Sequence, residues 1–192
     1  TVKIPPNFNP PEEFISNENF KRILRERKRL IRNGKVMKKN SQEYWDNRFD
    51  TDWKDYGGNE QTKFFATILN DMLPEWLIHE VNENKDKICD LGCAEGDALL
   101  VYRQKFVTSE ICGEDFSDKA IEYAKKNYPE FEYKVSNILE PEHEKKYPVV
   151  ICSNVVEHFK ETYSVIAKIC ERATKYAVIL IPYREEQGAI DE

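Results

Sequence analysis

The run Ile88-Cys89-Asp90-Leu91-Gly92-Cys93-Ala94-Glu95-Gly96-Asp97-Ala98-Leu99 gathers three acids and two glycines in one short stretch. It reads as an apolar strand ending at Asp90, a tight turn through Gly92 and Gly96, and the start of a helix. Glycines let a backbone approach a ligand closely, and a helix N-terminus offers free N–H donors, so this arrangement cradles a nucleotide-like molecule. Spacing narrows the choice. A dinucleotide site needs G-x-G-x-x-G, and a phosphate loop needs Gly-Lys-Ser/Thr; here Gly96 is followed by Asp97. Asp90, Glu95 and Asp97 would repel a phosphate. They would not repel a cationic or zwitterionic ligand.

Three further segments follow in order. Ile111-Cys112-Gly113-Glu114-Asp115-Phe116-Ser117 reads as a second strand ending in an acid, with Asp115 placed 19 residues after Gly96. That is close to the ~20-residue interval at which an acid reaches a ribose hydroxyl, and a carboxylate accepts two hydrogen bonds from a vicinal diol. Glu114, one residue earlier, should point to the opposite side of the strand. Ser117 is placed to cap a helix over Asp118–Asn127, where Ala120, Ile121 and Ala124 share a face. Phe131–Ile138 reads as the next strand. Tyr147–Cys152 is an apolar run of the kind buried in a parallel sheet, and it leads to Ser153, Glu157 and His158. Tyr176–Pro182 reads as another central strand.

At these residues the chain resembles the class I S-adenosylmethionine-dependent methyltransferases. Their first motif, often D-L-G-C-G-x-G, is matched by Asp90, Leu91, Gly92, Cys93 and Gly96, with Ala94 standing where the family usually has Gly. The resemblance implies an α/β fold: a Rossmann-like, mostly parallel central sheet with helices on both faces, plus an N-terminal helical extension. It implies S-adenosylmethionine as cofactor and S-adenosylhomocysteine as product. The implied binding residues are Asp90, Gly92, Cys93 and Gly96 at the first motif, Asp115 and Phe116 at the ribose, Asn137 and Ile138 at the adenine, and Ser153 past the fourth strand. The family usually has Asp where Asn137 stands, so Asn137 reads equally as a turn residue. Ser41–Phe49, with Trp53 and Tyr56 behind it, resembles a segment that folds over the cofactor, with Tyr44 its preferred contact; apolar anchoring of the arm to the domain is the other reading.

The same resemblance bears on the acceptor. No Pro-Cys nucleophile and no (Asn/Asp)-Pro-Pro-aromatic signature follows the fourth strand. The Glu157-His158 pair occurs in relatives acting on sugars, quinones and small molecules. His158 is therefore a candidate general base for an acceptor hydroxyl, because imidazole titrates near working pH; a purely structural histidine is the other reading. No metal is expected, since the second acid and later histidine of metal-using relatives are missing. After Pro182 only Tyr183–Glu192 remain, so the last strands of the family fold are expected to be missing, and Arg184 could meet an anionic acceptor.

The rest of the chain must position these groups. Its 192 residues, 40% hydrophobic, suffice for one α/β domain with an extension. The expected division is an arm and cap over residues 1–58 and a cofactor-binding domain over 59–192. Thr1–Ser16, with four prolines, reads as an extended arm. Asn19–Asn40 holds ten Lys or Arg against Glu26 alone, a local +9 in a chain of net −6. It reads as a basic amphipathic helix, docked on its own acidic domain or gripping nucleic acid, glycan or a membrane surface. Glu60–Glu83, interrupted by Pro74, should form one or two helices with Phe64, Phe65, Ile68, Leu69 and Met72 in the core. Cys89, Cys93, Cys112, Cys152 and Cys170 form no C-x-x-C pair and read as buried free thiols of a reducing, cytoplasmic setting. No signal-peptide pattern or membrane-length apolar run is present. The leading reading is O-methylation of a sugar or small hydroxylated metabolite. The alternatives are a cofactor-binding scaffold domain of a larger protein and an RNA methyltransferase, with the acceptor a small molecule or glycan rather than nucleic acid on the leading reading.

Overall fold

The computed structural model describes residues 31–32, 35–140 and 145–182, with side chains from Met37 onward. The arm, most of the basic segment and Arg184 lie outside the described residues. Where the basic segment is described it is not helical. β1 (Ile31–Arg32) pairs antiparallel with β2 (Lys35–Val36), Arg32 opposite Lys35. The residues between the two strands in sequence are Asn33 and Gly34, a pair favoured in hairpin connections.

Three helices then precede the sheet: α1 (Gln42–Thr51), α2 (Gly58–Met72) and α3 (Glu75–Asn84). Pro74 divides α2 from α3, as its missing N–H requires. The buried face of α2 is Ala66, Leu69 and Asn70. Asn70 donates to the Val101 carbonyl at 2.7 Å inside the core, which fixes the rotation of the helix. Phe64 and Met72 are consequently turned outward, 60% and 70% exposed, and Phe65 and Ile68 are only half-buried. The apolar spacing alone had pointed to a face rotated from the real one.

The sheet has five parallel strands: β3 (Ile88–Leu91), β4 (Ile111–Asp115), β5 (Glu132–Val135), β6 (Tyr147–Ser153) and β7 (Ala173–Leu180). Their order is β5-β4-β3-β6-β7. Helices α4 (Asp97–Arg103), α5 (Asp118–Asn127) and α6 (Thr162–Arg172) make the crossovers. β3, β4 and β6 are buried almost throughout, whereas β5 and β7 are partly exposed. The strand at Tyr176–Pro182 is thus an edge of the described sheet, not a central member. Four of the cysteines are buried; Cys170, on α6, is exposed. The chain runs outward from β3 to β4 and β5, then returns to start β6 on the other side of β3. Strand order reverses there, and in open α/β sheets ligands bind in the crevice beyond the strand ends at such a switch point. No described helix is long and apolar enough to cross a membrane.

Candidate active site

At that crevice lies a cavity of about 560 Å³. Its floor is the C-terminal ends of three strands: Asp90 in β3 with Gly92 beyond it, Asp115 at the end of β4 with Phe116 beyond it, and Ser153 at the end of β6 with Asn154 and Val155 beyond it. Asn137 and Ile138 close one side and the 3₁₀ turn Val156–His158 another. The roof is α1 and the loop behind it, through Trp45, Arg48, Phe49 and Trp53.

The turn after β3 is held by backbone geometry. Gly92 has φ +84° and Gly96 φ +86°. The N–H groups of Gly92 and Cys93 both donate to the Glu114 carbonyl, at 2.7 and 3.1 Å, so the turn is tied to the neighbouring strand. A Cβ at Gly92 would collide with the Val155 side chain. Ala94 also adopts the left-handed region, φ +49°, where a non-glycine residue costs about 1–2 kcal/mol. Its N–H donates to Asp115 Oδ2 at 3.0 Å, and that bond holds the strained residue in place. The other Asp115 oxygen accepts from the Ser117 N–H at 2.9 Å. One carboxylate therefore clamps the turn after β3 to the start of α5.

Two buried acids lie close enough here for the charge of one to act on the other, and among the described residues neither forms an ion pair. Burial, then the charge of Asp115, pushes Asp90 up to about 7. Burial raises Asp115 to about 6, with Asp46 adding to the rise and the Ser117 and Ala94 N–H groups opposing it. Both groups gain if a positive charge enters the cavity.

The roof is anchored by side chains. Asp46 Oδ1 accepts from Ser117 Oγ at 2.5 Å and from the Lys119 N–H at 3.3 Å. Gln42 donates to Asp118 at 2.9 Å, and Tyr123 to Asp50 at 3.2 Å. Ser117 also caps α5 by accepting from the Ala120 N–H. Trp45, Arg48 and Phe49, at i, i+3 and i+4, then share the face turned to the cavity.

His158 stands opposite. Its ring lies 5.1 Å from that of Trp45, edge-on. Burial first, then the positive charges of Arg48 and Lys39, lowers it to about 4. It is a neutral imidazole at physiological pH.

Of the residues expected from sequence, the cavity brings together Asp90, Gly92, Asp115, Phe116, Asn137, Ile138, Ser153 and His158. Three lie elsewhere. Tyr44 is on the core side of α1, 2% exposed, and Trp45 takes the cavity position. Cys93 packs against Gly113 beneath the turn. Gly96 faces Tyr133 and serves as the N-cap of α4. Asn137 lines the cavity, but its Oδ1 already accepts from the Leu139 N–H at 3.0 Å, which is turn chemistry. Arg48, Asn154 and Phe65 were missed. The helical spacing of Trp45, Arg48 and Phe49 was the available signal for Arg48.

Residues 82–189 match the methyltransferase domain family, more than half of the chain. The chain belongs to that family. Its five-stranded parallel sheet is the Rossmann-like core of the class I S-adenosylmethionine-dependent methyltransferases. Streptomyces venezuelae DesVI superposes with a TM-score of 0.54 at 17% identity, covering 70% of this chain and 58% of the other. The plantazolicin methyltransferase BpumL, crystallised with a monoazolic desmethylPZN analogue and S-adenosylhomocysteine, gives 0.50 at 18% identity over 70% of this chain and 55% of its own. By sequence, the domain is 28% identical over 120 residues to a ubiquinone biosynthesis O-methyltransferase of Rickettsia bellii, 59% of this chain and 50% of the relative. The chain thus spans about half the length of the curated relatives it matches.

The side chains fit such a cofactor. A positively charged sulfonium suits a cavity with two uncompensated buried acids. The Trp45 and Phe49 rings on the roof suit a cation as well.

Proposed function

We propose that this methyltransferase domain binds S-adenosylmethionine in the crevice beyond β3, β4 and β6 and O-methylates a small hydroxylated molecule, a sugar or another metabolite. The carrying observation is the facing of Asp90 and Asp115 on the sheet against an aromatic roof and a neutral histidine. Asp115 would hold the ribose hydroxyls, with Phe116 and Ile138 on the adenosine and Asp90 near the amino-acid portion. The bound cofactor supplies an electrophilic methyl group on sulfur, so the protein's task is orientation, exclusion of water and management of one proton. His158 offers an unprotonated ring nitrogen at every pH above about 5. It can accept a hydrogen bond from the acceptor hydroxyl and aim the oxygen. With its basicity lowered by burial, it aligns the hydroxyl and passes the proton released on methyl transfer out to solvent. A reducing, cytoplasmic setting belongs to the same proposal.

Calorimetric titration with S-adenosylmethionine, S-adenosylhomocysteine and NAD tests the cofactor assignment. Micromolar binding of the first two and none of NAD is expected; NAD binding alone would sink it. The second reading, a binding domain of a larger protein, draws on the partly exposed edge strand β7 and on the half-length coverage of the relatives. Cofactor binding without methyl transfer to any of a panel of hydroxylated acceptors would favour it.

A further inference from the structure

The cavity wall carries acids on the sheet and, at Glu157, on the turn after β6, and an arginine on the roof. Asp90 and Asp115 stand on the sheet side, and Arg48 stands on the roof. Among the described residues no carboxylate forms an ion pair with Arg48. Its guanidinium carbon lies 5.2 Å from the Trp45 ring centroid and 5.4 Å from that of Trp53. Its Nε is buried and has no hydrogen-bond partner. Two indoles can hold a guanidinium in place, but they give its Nε–H no acceptor. A buried donor with no acceptor is costly, and native structures rarely keep one without a reason. The group that satisfies such a donor best is a carboxylate, whose two oxygens match two parallel guanidinium N–H groups.

We propose that Arg48 is the carboxylate receptor of this cavity, so that a carboxylate bound there lies toward α1 and away from Asp90 and Asp115. This rests on the cofactor reading above. The carboxylate has two sources, the amino-acid portion of the cofactor or an acidic acceptor. An Arg at the cavity face of α1 would then add a charge requirement to a site otherwise defined by shape and two acids.

Binding measurements on the whole chain separate the cases. Arg48→Met keeps the apolar stem between the indoles and removes the donor. S-adenosylhomocysteine carries the carboxylate; 5′-methylthioadenosine lacks the whole amino-acid end. If the cofactor is the source, Arg48→Met weakens S-adenosylhomocysteine by about 10- to 100-fold and leaves methylthioadenosine unchanged. Arg48→Lys, which keeps the charge and loses the planar fork, falls between. If the acceptor is the source, S-adenosylhomocysteine affinity is retained. Benzoate, titrated onto the S-adenosylhomocysteine complex, then binds the parent better than Arg48→Met, while benzyl alcohol does not distinguish them. Unchanged S-adenosylhomocysteine affinity with no Arg48-dependent benzoate binding overturns the proposal. Unchanged methylthioadenosine affinity and melting temperature show that the variant is folded. Failure of the parent to bind either adenosyl compound would instead strike at the cofactor reading.

Discussion

Glu114 and Asp115 are adjacent on β4, both buried, and opposite in every other respect. Glu114 accepts from the Tyr147 hydroxyl at 2.6 Å and from Arg172 at 2.8 Å. Burial alone would raise it, but Tyr147 and Arg172 outweigh that and hold it below its ordinary value. Asp115 faces the cavity, is hydrogen-bonded by backbone N–H groups, and sits above its ordinary value. A cation completes the first acid and none completes the second. The difference separates a group that serves the fold from one left ready for a ligand.

The comparison breaks most severely at Arg172. Arg172→Ala leaves Glu114 as an unpaired buried charge, and a loss of about 3–5 kcal/mol is expected. Denaturant unfolding measures it; a loss below about 1 kcal/mol would show that Glu114 does not depend on the pair. Asp115→Ala should act elsewhere. It removes the acceptor for two backbone N–H groups and costs cofactor affinity, about 1.5–3 kcal/mol by titration calorimetry. Equal cofactor affinity in this variant would remove Asp115 from the site.

pH sharpens the same contrast. Asp90 and Asp115 have folded values of about 7 and 6 against an ordinary 3.8. Their contribution to stability is present below about 4 and is lost as pH rises through 6 to 7. Glu114 is lowered from 4.5, so its contribution is present above that value and is lost as pH falls below it. Asp90→Asn should therefore flatten the decline in melting temperature from pH 5 to 8, and Glu114→Gln should flatten the loss on the acid side. Because ionised acids favour a sulfonium, S-adenosylmethionine should gain more affinity than S-adenosylhomocysteine between about pH 6 and 8. Parallel pH curves for the two compounds would contradict this. The smallest effect is expected at Ala94. Glycine relieves its left-handed strain, loses a methyl packed near Phe49 and Trp53, and should change stability by less than about 1 kcal/mol in thermal unfolding. A larger loss would mean that the methyl, not the backbone, holds the turn.

What was legible in the sequence divides along similar lines. Strand alternation separated Asp115 from Glu114, and the glycine turn, the Ser117 cap and the parallel strands follow from local spacing. The partner of Glu114 was not legible, because Arg172 is 58 residues away and reaches it only through the register of β4 beside β3 and β6. On the roof, Trp45 lines the cavity and Tyr44 does not; both are aromatic, and the rotation of α1, set by Asp46 and Gln42 bonding to Ser117 and Asp118, decides which faces the cavity. Ala94 standing where the family usually has glycine signalled a turn that needs positive φ, but the bond that holds it, donated by its N–H to Asp115 on β4, was not legible.

The way α1 is attached also governs timing. It closes the cavity through a handful of hydrogen bonds to α5, most of them at or near the surface, and through the packing of Phe49 with Ala94 and Ala120, and not through a sheet ladder. Such bonds open and reclose far faster than a β-sheet comes apart. A molecule beneath α1 is then held for as long as the latch stays shut. Residence time, as much as affinity, would be written in Asp46, a residue that does not line the cavity.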